Sequence, residues 1–536
     1  MKHLRKSLLL LLLATPFALL AHESGDHWHP AKFAVELEHA PTPIPERVVL
    51  TWNDDPATTQ AVTWRTDTSV KQAVAEIAIA NANGRALKPD RFKATTEFFK
   101  SDINEAHYHS VTFRSLEPDT LYAYRVGDGE NWSEYFHFRT ASATAEPFTF
   151  IYFGDAQNEV KTHWSRVFRE AFSEAPRAAF SLHAGDLINR DELDAEWGEW
   201  HGAPGWVNGT IPVIATPGNH EYFRANQGPA NERFWNAKDG AALDLDVEIV
   251  ETKSDDGKEL YKVTARSADG RSAYLEVNDD DEIILVGEGV EELTGYLEED
   301  LLGTEVDKQP LRDRLQNRGI PTVSTHWRPQ FSFPLQGGPG GTEETCYYID
   351  YQGTRFISLD SNRSREEQVP WLRKVLEDNT NRWTVLTFHH PIFSPASDRD
   401  NKELRELWKP VFDEFKVDLV LNGHDHTYAR TGDIRDTADF ANIPSGYQQA
   451  YDPEIGTVYV VSVSGPKMYD ITKGDFAKRV AEDAQLYQVI SIAGDELEYK
   501  AFTATGRLYD AFTLKKRAGR PNELIELLPA ENRREE

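Results

Sequence analysis

Val417-Asp418-Leu419-Val420-Leu421-Asn422-Gly423-His424-Asp425-His426 is an apolar run that breaks at a glycine and ends on two histidines two residues apart. Side chains two apart on an extended segment point the same way, so His424 and His426 face one side. Four earlier stretches are built alike. Residues 148–153 run into Gly154-Asp155-Ala156-Gln157, and residues 178–183 into Gly185-Asp186-Leu187. Residues 211–215 lead to Gly218-Asn219-His220-Glu221, and residues 383–388 to His389-His390-Pro391. Continuous apolar runs alternating with helix-like segments predict a layered α/β domain, here over residues 146–515. In such sheets ligands gather at the carboxyl ends of the strands. Asp155, Asp186, Asn219, His389, His424 and His426 can therefore converge on one crevice.

Residues 41–143 read differently. Short alternating runs at 47–52, 60–65, 74–79, 109–113, 121–126 and 135–139 are separated by Asp, Gly, Asn and Pro. Strands at this spacing predict an all-β immunoglobulin-like sandwich. Within it, Leu116-Glu117-Pro118-Asp119-Thr120-Leu121-Tyr122-Ala123-Tyr124 resembles the corner of a fibronectin type III domain, where a Tyr hydroxyl ties the loop to the strand. Nothing there has catalytic spacing, which leaves a scaffold or docking module.

Residues 243–319 interrupt the α/β rhythm with alternating segments at 260–265, 273–277 and 283–286 and with acidic clusters. They form a β-rich insertion between the third and fourth motifs, a place that allows it to lie over the cleft and restrict substrate size. Asp279-Asp280-Asp281 lacks the spaced oxygen ligands and central glycine of a calcium loop, so it reads as a solvated acidic turn. Further strands are expected at 456–464 and 486–502, then a charged, frayed tail at 516–536.

The chain of 536 residues is long enough for two or three domains. With 88 acidic against 58 basic side chains its net charge is −30, which disfavours nucleic-acid binding through a basic face. A small anionic substrate stays possible, because two cations can dominate the field of one cleft. Lys2, Arg5 and Lys6 precede a short apolar core from Leu8, with Ala18 and Ala21 at a cleavage point: residues 1–21 read as a signal peptide. That run is too short and interrupted for a membrane span, and no later segment is apolar enough. Export to the periplasm or the extracellular space follows. Residues 22–40, with His22, His27 and His29, read as an extended leader. Cys346 is the sole cysteine, so an internal disulfide is impossible, and it reads as a buried thiol without a role.

Carboxylate and amide oxygens with imidazole nitrogens suit Zn, Fe or Mn, and the lack of thiolates argues against an iron–sulfur or Cys-rich zinc site. The order D…GD…GNH…HHP…GHxH resembles the calcineurin-like metallophosphoesterase superfamily, and the preceding sandwich makes the chain similar to purple acid phosphatases. Gly341-Thr342-Glu343-Glu344-Thr345, residues 356–361 and residues 423–430 add to the likeness. The resemblance implies two divalent or trivalent metal ions. Asp155 and His426 would bind the first, Asn219, His389 and His424 the second, and Asp186 would bridge them. It also implies hydrolysis of phosphate monoesters by a metal-bound hydroxide, with His220 touching the phosphate or protonating the leaving oxygen. His390 would be structural or support the ligands.

The chain departs from that pattern in three places. Purple acid phosphatases carry a metal-binding Tyr three residues after the bridging Asp, and here that residue is Asn189. Iron bound here would then give no phenolate colour, and the first metal need not be ferric. Many relatives place a His two residues after the first Asp, and here it is Gln157, either a weak ligand or a hydrogen-bonding neighbour. The family's further substrate-side histidines are missing from residues 394–400. The alternatives are a phosphodiesterase or nucleotide hydrolase of the same superfamily, or a non-catalytic β-sandwich adhesion or binding protein with a relict metal site. Six retained ligands weigh against the last, since buried unpaired charges are costly.

Overall fold

The computed structural model describes residues 34–225, 320–396, 399–433 and 444–527, and within 226–319 only strand segments. The N-terminal domain is a sandwich of two antiparallel four-stranded sheets. Glu46–Thr51, Gln60–Thr66, Glu105–Phe113 and Thr95–Lys100 form one, and Asp90–Lys93, Val74–Ile79, Leu121–Gly127 and Phe136–Arg139 the other. Their inner faces bury Leu50, Val62, Trp64, Ile77, Phe113, Tyr124 and Phe138. At the corner, the Tyr122 hydroxyl accepts the Glu117 N–H at 2.8 Å. Asp90–Lys93 and Thr95–Lys100 carry almost no buried positions, so they lack the apolar alternation that marks a strand in sequence.

A buried ion cluster joins this sandwich to the next domain. Arg47 binds Asp194 through both guanidinium nitrogens, at 2.7 and 2.9 Å, and Arg65 reaches the same carboxylate at 2.8 Å. Asp194 opens the helix Asp194–Gly202, whose N-terminus favours a negative charge. The Tyr124 hydroxyl adds a bond to the Gly209 carbonyl at 2.7 Å. The described end of the leader is not extended: Val35–Glu38 forms one helical turn, and the His39 carbonyl accepts from Arg65. A docking partner for that carbonyl lies far along the chain, beyond the reach of local pattern.

The second domain is a four-layer αββα sandwich with two mixed seven-stranded sheets. In the first, Val213–Ala215, Ser181–His183 and Phe148–Phe153 run parallel. Beside Phe148–Phe153 follow the antiparallel strands Leu486–Ala493, Glu496–Thr503, Leu508–Arg517 and Arg520–Glu526. In the second, Thr354–Ser358, Trp383–Thr387, Leu419–Asn422 and Val458–Val461 are parallel. They are flanked by Tyr347–Tyr351 on one side and by Tyr428–Arg430 and Arg479–Ala481 on the other. The two sheets meet through Phe150, Phe180 and Phe356, with ring centroids 5.0–5.3 Å apart. Helix Ser165–Glu174 contributes to the same core, whereas Gln368–Glu377 and Lys402–Phe415 belong to a second cluster with Leu386, Phe388 and Val420. Cys346 is buried in that second cluster, which pushes its thiol pKa up.

The tail expected to fray from residue 516 is instead a paired edge strand as far as Glu526. Its charges are used inward: Glu526 binds the buried Arg430 at 2.9 Å, and Asn522 and Lys516 both reach Asp418. In the insertion, Leu245–Lys253, Glu259–Ser267, Ser272–Asn278 and Ile283–Val286 form an antiparallel sheet. It is rooted on a two-stranded neck in which Tyr222–Ala225 pairs with Ile320–Val323. The signal segment 1–21, His22, His27 and His29, the acidic clusters of the insertion and residues 528–536 lie outside the described residues.

Burial raises the Asp194 pKa, but Arg47 and Arg65 outweigh it and bring it down to about 2. A carboxylate depressed on folding contributes stability above its unfolded value and loses it as pH falls. Chemical denaturation between pH 4 and pH 2 should therefore show a loss of about 2 kcal/mol attributable to this group. Asp194→Asn should remove that slope, and at pH 7 should cost about 3 kcal/mol because the buried Arg47 loses its carboxylate partner and Arg65 keeps only Glu46.

Candidate metal centre

Every residue of the candidate site sits just past the carboxyl end of a parallel strand. Asp155, Asp186 and Asn219 follow Phe148–Phe153, Ser181–His183 and Val213–Ala215 of one sheet, whereas His389, His424 and His426 follow Trp383–Thr387 and Leu419–Asn422 of the other. The motif glycines allow this closeness. A Cβ on Gly218 would stand 2.1 Å from Asp186 Oδ1, and one on Gly423 would stand 2.1 Å from Asp155 Oδ1. Asp186 and His424 have φ of 51° and 76°, the left-handed region where a non-glycine backbone is strained.

Two interlocking donor groups result, and Asp186 belongs to both: the first is Asp155 with Asp186 and His426, the second Asp186 with His389 and His424. Asn219 Oδ1 lies 3.0 Å from both His389 Nε2 and His424 Nδ1, which are themselves 3.0 Å apart. Asp186 Oδ2 is 3.3 Å from His389 Nε2, and Asp155 Oδ2 is 3.2 Å from His426 Nε2. The far nitrogens of two rings are fixed by carbonyls, His389 Nδ1 on Ala184 at 3.0 Å and His426 Nδ1 on Lys467 at 2.9 Å. In the neutral rings this turns the Nε2 lone pairs inward, the orientation a metal ligand needs. The second group is the open one: Asn219 is exposed and His424 half-buried, whereas Asp155, Asp186, His389 and His426 are buried.

The residues fit a pair of cations on two observations. Asp155 Oδ2 and Gln157 Oε1 are buried acceptors without a hydrogen-bond partner among the described residues, a costly arrangement that a cation would relieve. The donors are oxygen and nitrogen only, the set preferred by Zn, Fe and Mn. The charges agree. Burial and the neighbouring Asp186 push the Asp155 carboxyl far up. Burial acts on Asp186 in the same direction, but His389 and His220 outweigh it and hold Asp186 low. Burial lowers His389, yet the two aspartates raise it to about 9, so a proton on His389 offsets part of the crowded negative charge when no cation does.

Gln157 lies inside the first group, fully buried, with Nε2 2.8 Å from Asp186 Oδ2 and 3.1 Å from His426 Nε2. Asn189 enters the site through its backbone: its carbonyl accepts from His220 Nδ1 at 2.6 Å. His220 Nε2 then faces Asp186 Oδ2 at 3.9 Å, and its side chain is 27% exposed. His390 is outside both donor groups; it pairs with Ser361 Oγ at 2.8 Å and packs 4.3 Å from the His424 ring.

Glu221 was within reach of the sequence, since it closes the Gly-Asn-His-Glu motif, but nothing in its spacing shows what it does. Its buried carboxylate accepts the N–H groups of Asp186, Leu187, Ile188 and Gly218 at 2.6–3.3 Å, and so fixes two ligand loops against each other. Burial and the Asp186 charge raise its pKa, while these donors oppose the rise. Glu221→Gln would turn an amide N–H₂ toward N–H donors. Metal affinity should then fall about 10–100-fold, measured by chelator competition.

Comparison with known proteins places this geometry. Residues 45–140 match the purple acid phosphatase N-terminal domain, and residues 148–287 and 307–428 match the calcineurin-like phosphoesterase family. Together the two matches make the chain a purple acid phosphatase-like metallophosphoesterase. It is 28% identical over 145 residues to purple acid phosphatase 15 of Arabidopsis thaliana, covering 25% of this chain and 24% of that one. It is 23% identical over 384 residues to an acid phosphatase of Aspergillus ficuum, covering 60% of each. The matched segments thus span less than two thirds of these relatives. Among solved structures, the purple acid phosphatase PPD1 of yellow lupin shares the fold with a TM-score of 0.57 at 16% identity, covering 88% of this chain and 74% of that one. PhoD shares it with a TM-score of 0.53 at 12% identity, covering 92% and 93%.

Proposed function

We propose that this chain hydrolyses phosphate monoesters with two bound metal ions, Fe, Zn or Mn. The observation that carries the reading is the sharing of one buried carboxylate, Asp186, by two donor groups. When bound, a pair of cations clamps phosphoryl oxygens and lowers the pKa of water enough to make it a nucleophile near neutral pH. The chain's own residues do the rest. Asp155, His426 and Gln157 would hold the buried ion. Asn219, His389 and His424 would hold the one nearer solvent, and Glu221 keeps the loops of Asp186 and Asn219 in register.

His220 is the group placed to touch the substrate. Its Nδ1–H is committed to the Asn189 carbonyl, so Nε2 donates to a phosphate or leaving oxygen only in the imidazolium form. Asp186 Oδ2 lies 3.9 Å from that Nε2. Export is part of the proposal, supported by the basic and apolar opening of the chain. No helix among the described residues is long and apolar enough to cross a membrane.

Metal analysis of the protein loaded with Mn, Zn or Fe should give two ions per chain. Asp186→Asn should lower monoester hydrolysis by about 100-fold or more and reduce the metal content, while the sandwich stays folded by circular dichroism. Fewer than two ions at saturation with no turnover would favour a binding protein. With Asn189 where a ligating Tyr would stand, the iron-loaded protein should lack a phenolate charge-transfer band in the visible spectrum.

A further inference from the structure

Beyond the donor groups, one wall of the site is positively charged although the chain as a whole is strongly acidic. Tyr469 packs its ring 4.6 Å from the ring of His426. Over the same tyrosine ring lie the Arg399 guanidinium, 4.9 Å from its centroid, and the Lys467 ammonium, at 5.5 Å. Both cations are tied into the site by backbone as well. Arg399 Nη1 donates to the His424 carbonyl at 2.9 Å, and the Lys467 carbonyl accepts from His426 Nδ1. Arg399 has a partial counter-charge in Asp425 at 3.4 Å. Lys467 has no carboxylate within ion-pair distance among the described residues, and both side chains are partly exposed.

A cation held on an aromatic face beside a metal centre, without a carboxylate of its own, suits a further negative group on the substrate. Arg399 offers planar, forked donors for the same group. It also stands in the segment 394–400, which has no histidine.

Resting on the phosphoesterase reading above, we propose that Arg399 and Lys467, set on Tyr469, bind a second anionic group of the substrate. They would select phosphoesters or phosphoanhydrides that carry another phosphate or carboxylate next to the scissile phosphoryl group. The reaction adds one water across the P–O bond, with the hydroxyl going to phosphorus and the proton to the leaving oxygen. No other reactant is needed.

Inorganic pyrophosphate and 4-nitrophenyl phosphate separate the two cases. In the metal-loaded enzyme, Lys467→Met and Arg399→Met should each lower the ratio of kcat/KM for pyrophosphate over 4-nitrophenyl phosphate by tenfold or more. Lys467→Arg, which restores the charge, should return most of that ratio. Calorimetry gives a readout without turnover: the Kd for pyrophosphate should rise tenfold or more in the Met variants, and that for orthophosphate distinctly less. A ratio of kcat/KM and a ratio of Kd values both unchanged in Lys467→Met and Arg399→Met would overturn this inference while leaving the phosphoesterase reading intact. A wild-type enzyme that turns over neither compound would overturn the phosphoesterase reading, and the calorimetric ratio would still decide whether the wall binds the second anion.

Discussion

Two buried carboxylates held close together are the constraint around which the rest is arranged. Asp155 and Asp186 are buried side by side, and neither tolerates the other's charge without a compensating cation or proton. Three imidazoles, one amide oxygen and the orphaned atoms of Asp155 and Gln157 surround them. Such a cluster costs stability in any protein that leaves it uncompensated. Its surroundings show that the chain is built to keep it. Glycines at 218 and 423 make room for carboxylate oxygens, Asp186 and His424 sit at strained backbone angles, and Glu221 gathers four N–H groups to hold the loops.

The double-sheet architecture is what makes that convergence possible. Each sheet delivers its candidate ligands only from parallel strands, all at the same end, and the aromatic contacts of Phe150, Phe180 and Phe356 lock the sheets face to face. Antiparallel strands extend both sheets without entering the site. The sandwich domain is fastened to this frame by a different device, the Arg47–Asp194–Arg65 cluster, which depends on helix Asp194–Gly202. That helix directly follows the Asp186 loop, and its Glu196 accepts the N–H groups of Asn189 and Arg190. The scaffold and the site are therefore joined through one short stretch of chain.

The departures at Gln157 and Asn189 acquire meaning in this setting. The amide of Gln157 stands beside Asp186 and His426 and adds no charge to the buried donor group. At 189 it is the backbone carbonyl that meets the site, fixing the His220 tautomer. The basic wall joins Arg399, from the histidine-free segment 394–400, to Lys467 over the ring of Tyr469.

Composition, periodicity and the five glycine-punctuated motifs determined a good deal by themselves. They settled two domain types, the strand ends that carry the six principal residues, and the Tyr122 corner, because each is encoded within a few consecutive residues. They were weaker where a segment's partner is remote. Asp90–Lys93 and Thr95–Lys100 are edge strands with little buried face, and the strand Arg520–Glu526 looks like a solvated tail until Arg430 and Asp418 take its polar groups. Glu221 and Asp194 look like ordinary surface acids in sequence, and become fixed points only because backbone N–H groups and arginines from distant segments converge on them. Tertiary structure alone decided those roles, since a charge buried by folding takes its function from the neighbours it meets there.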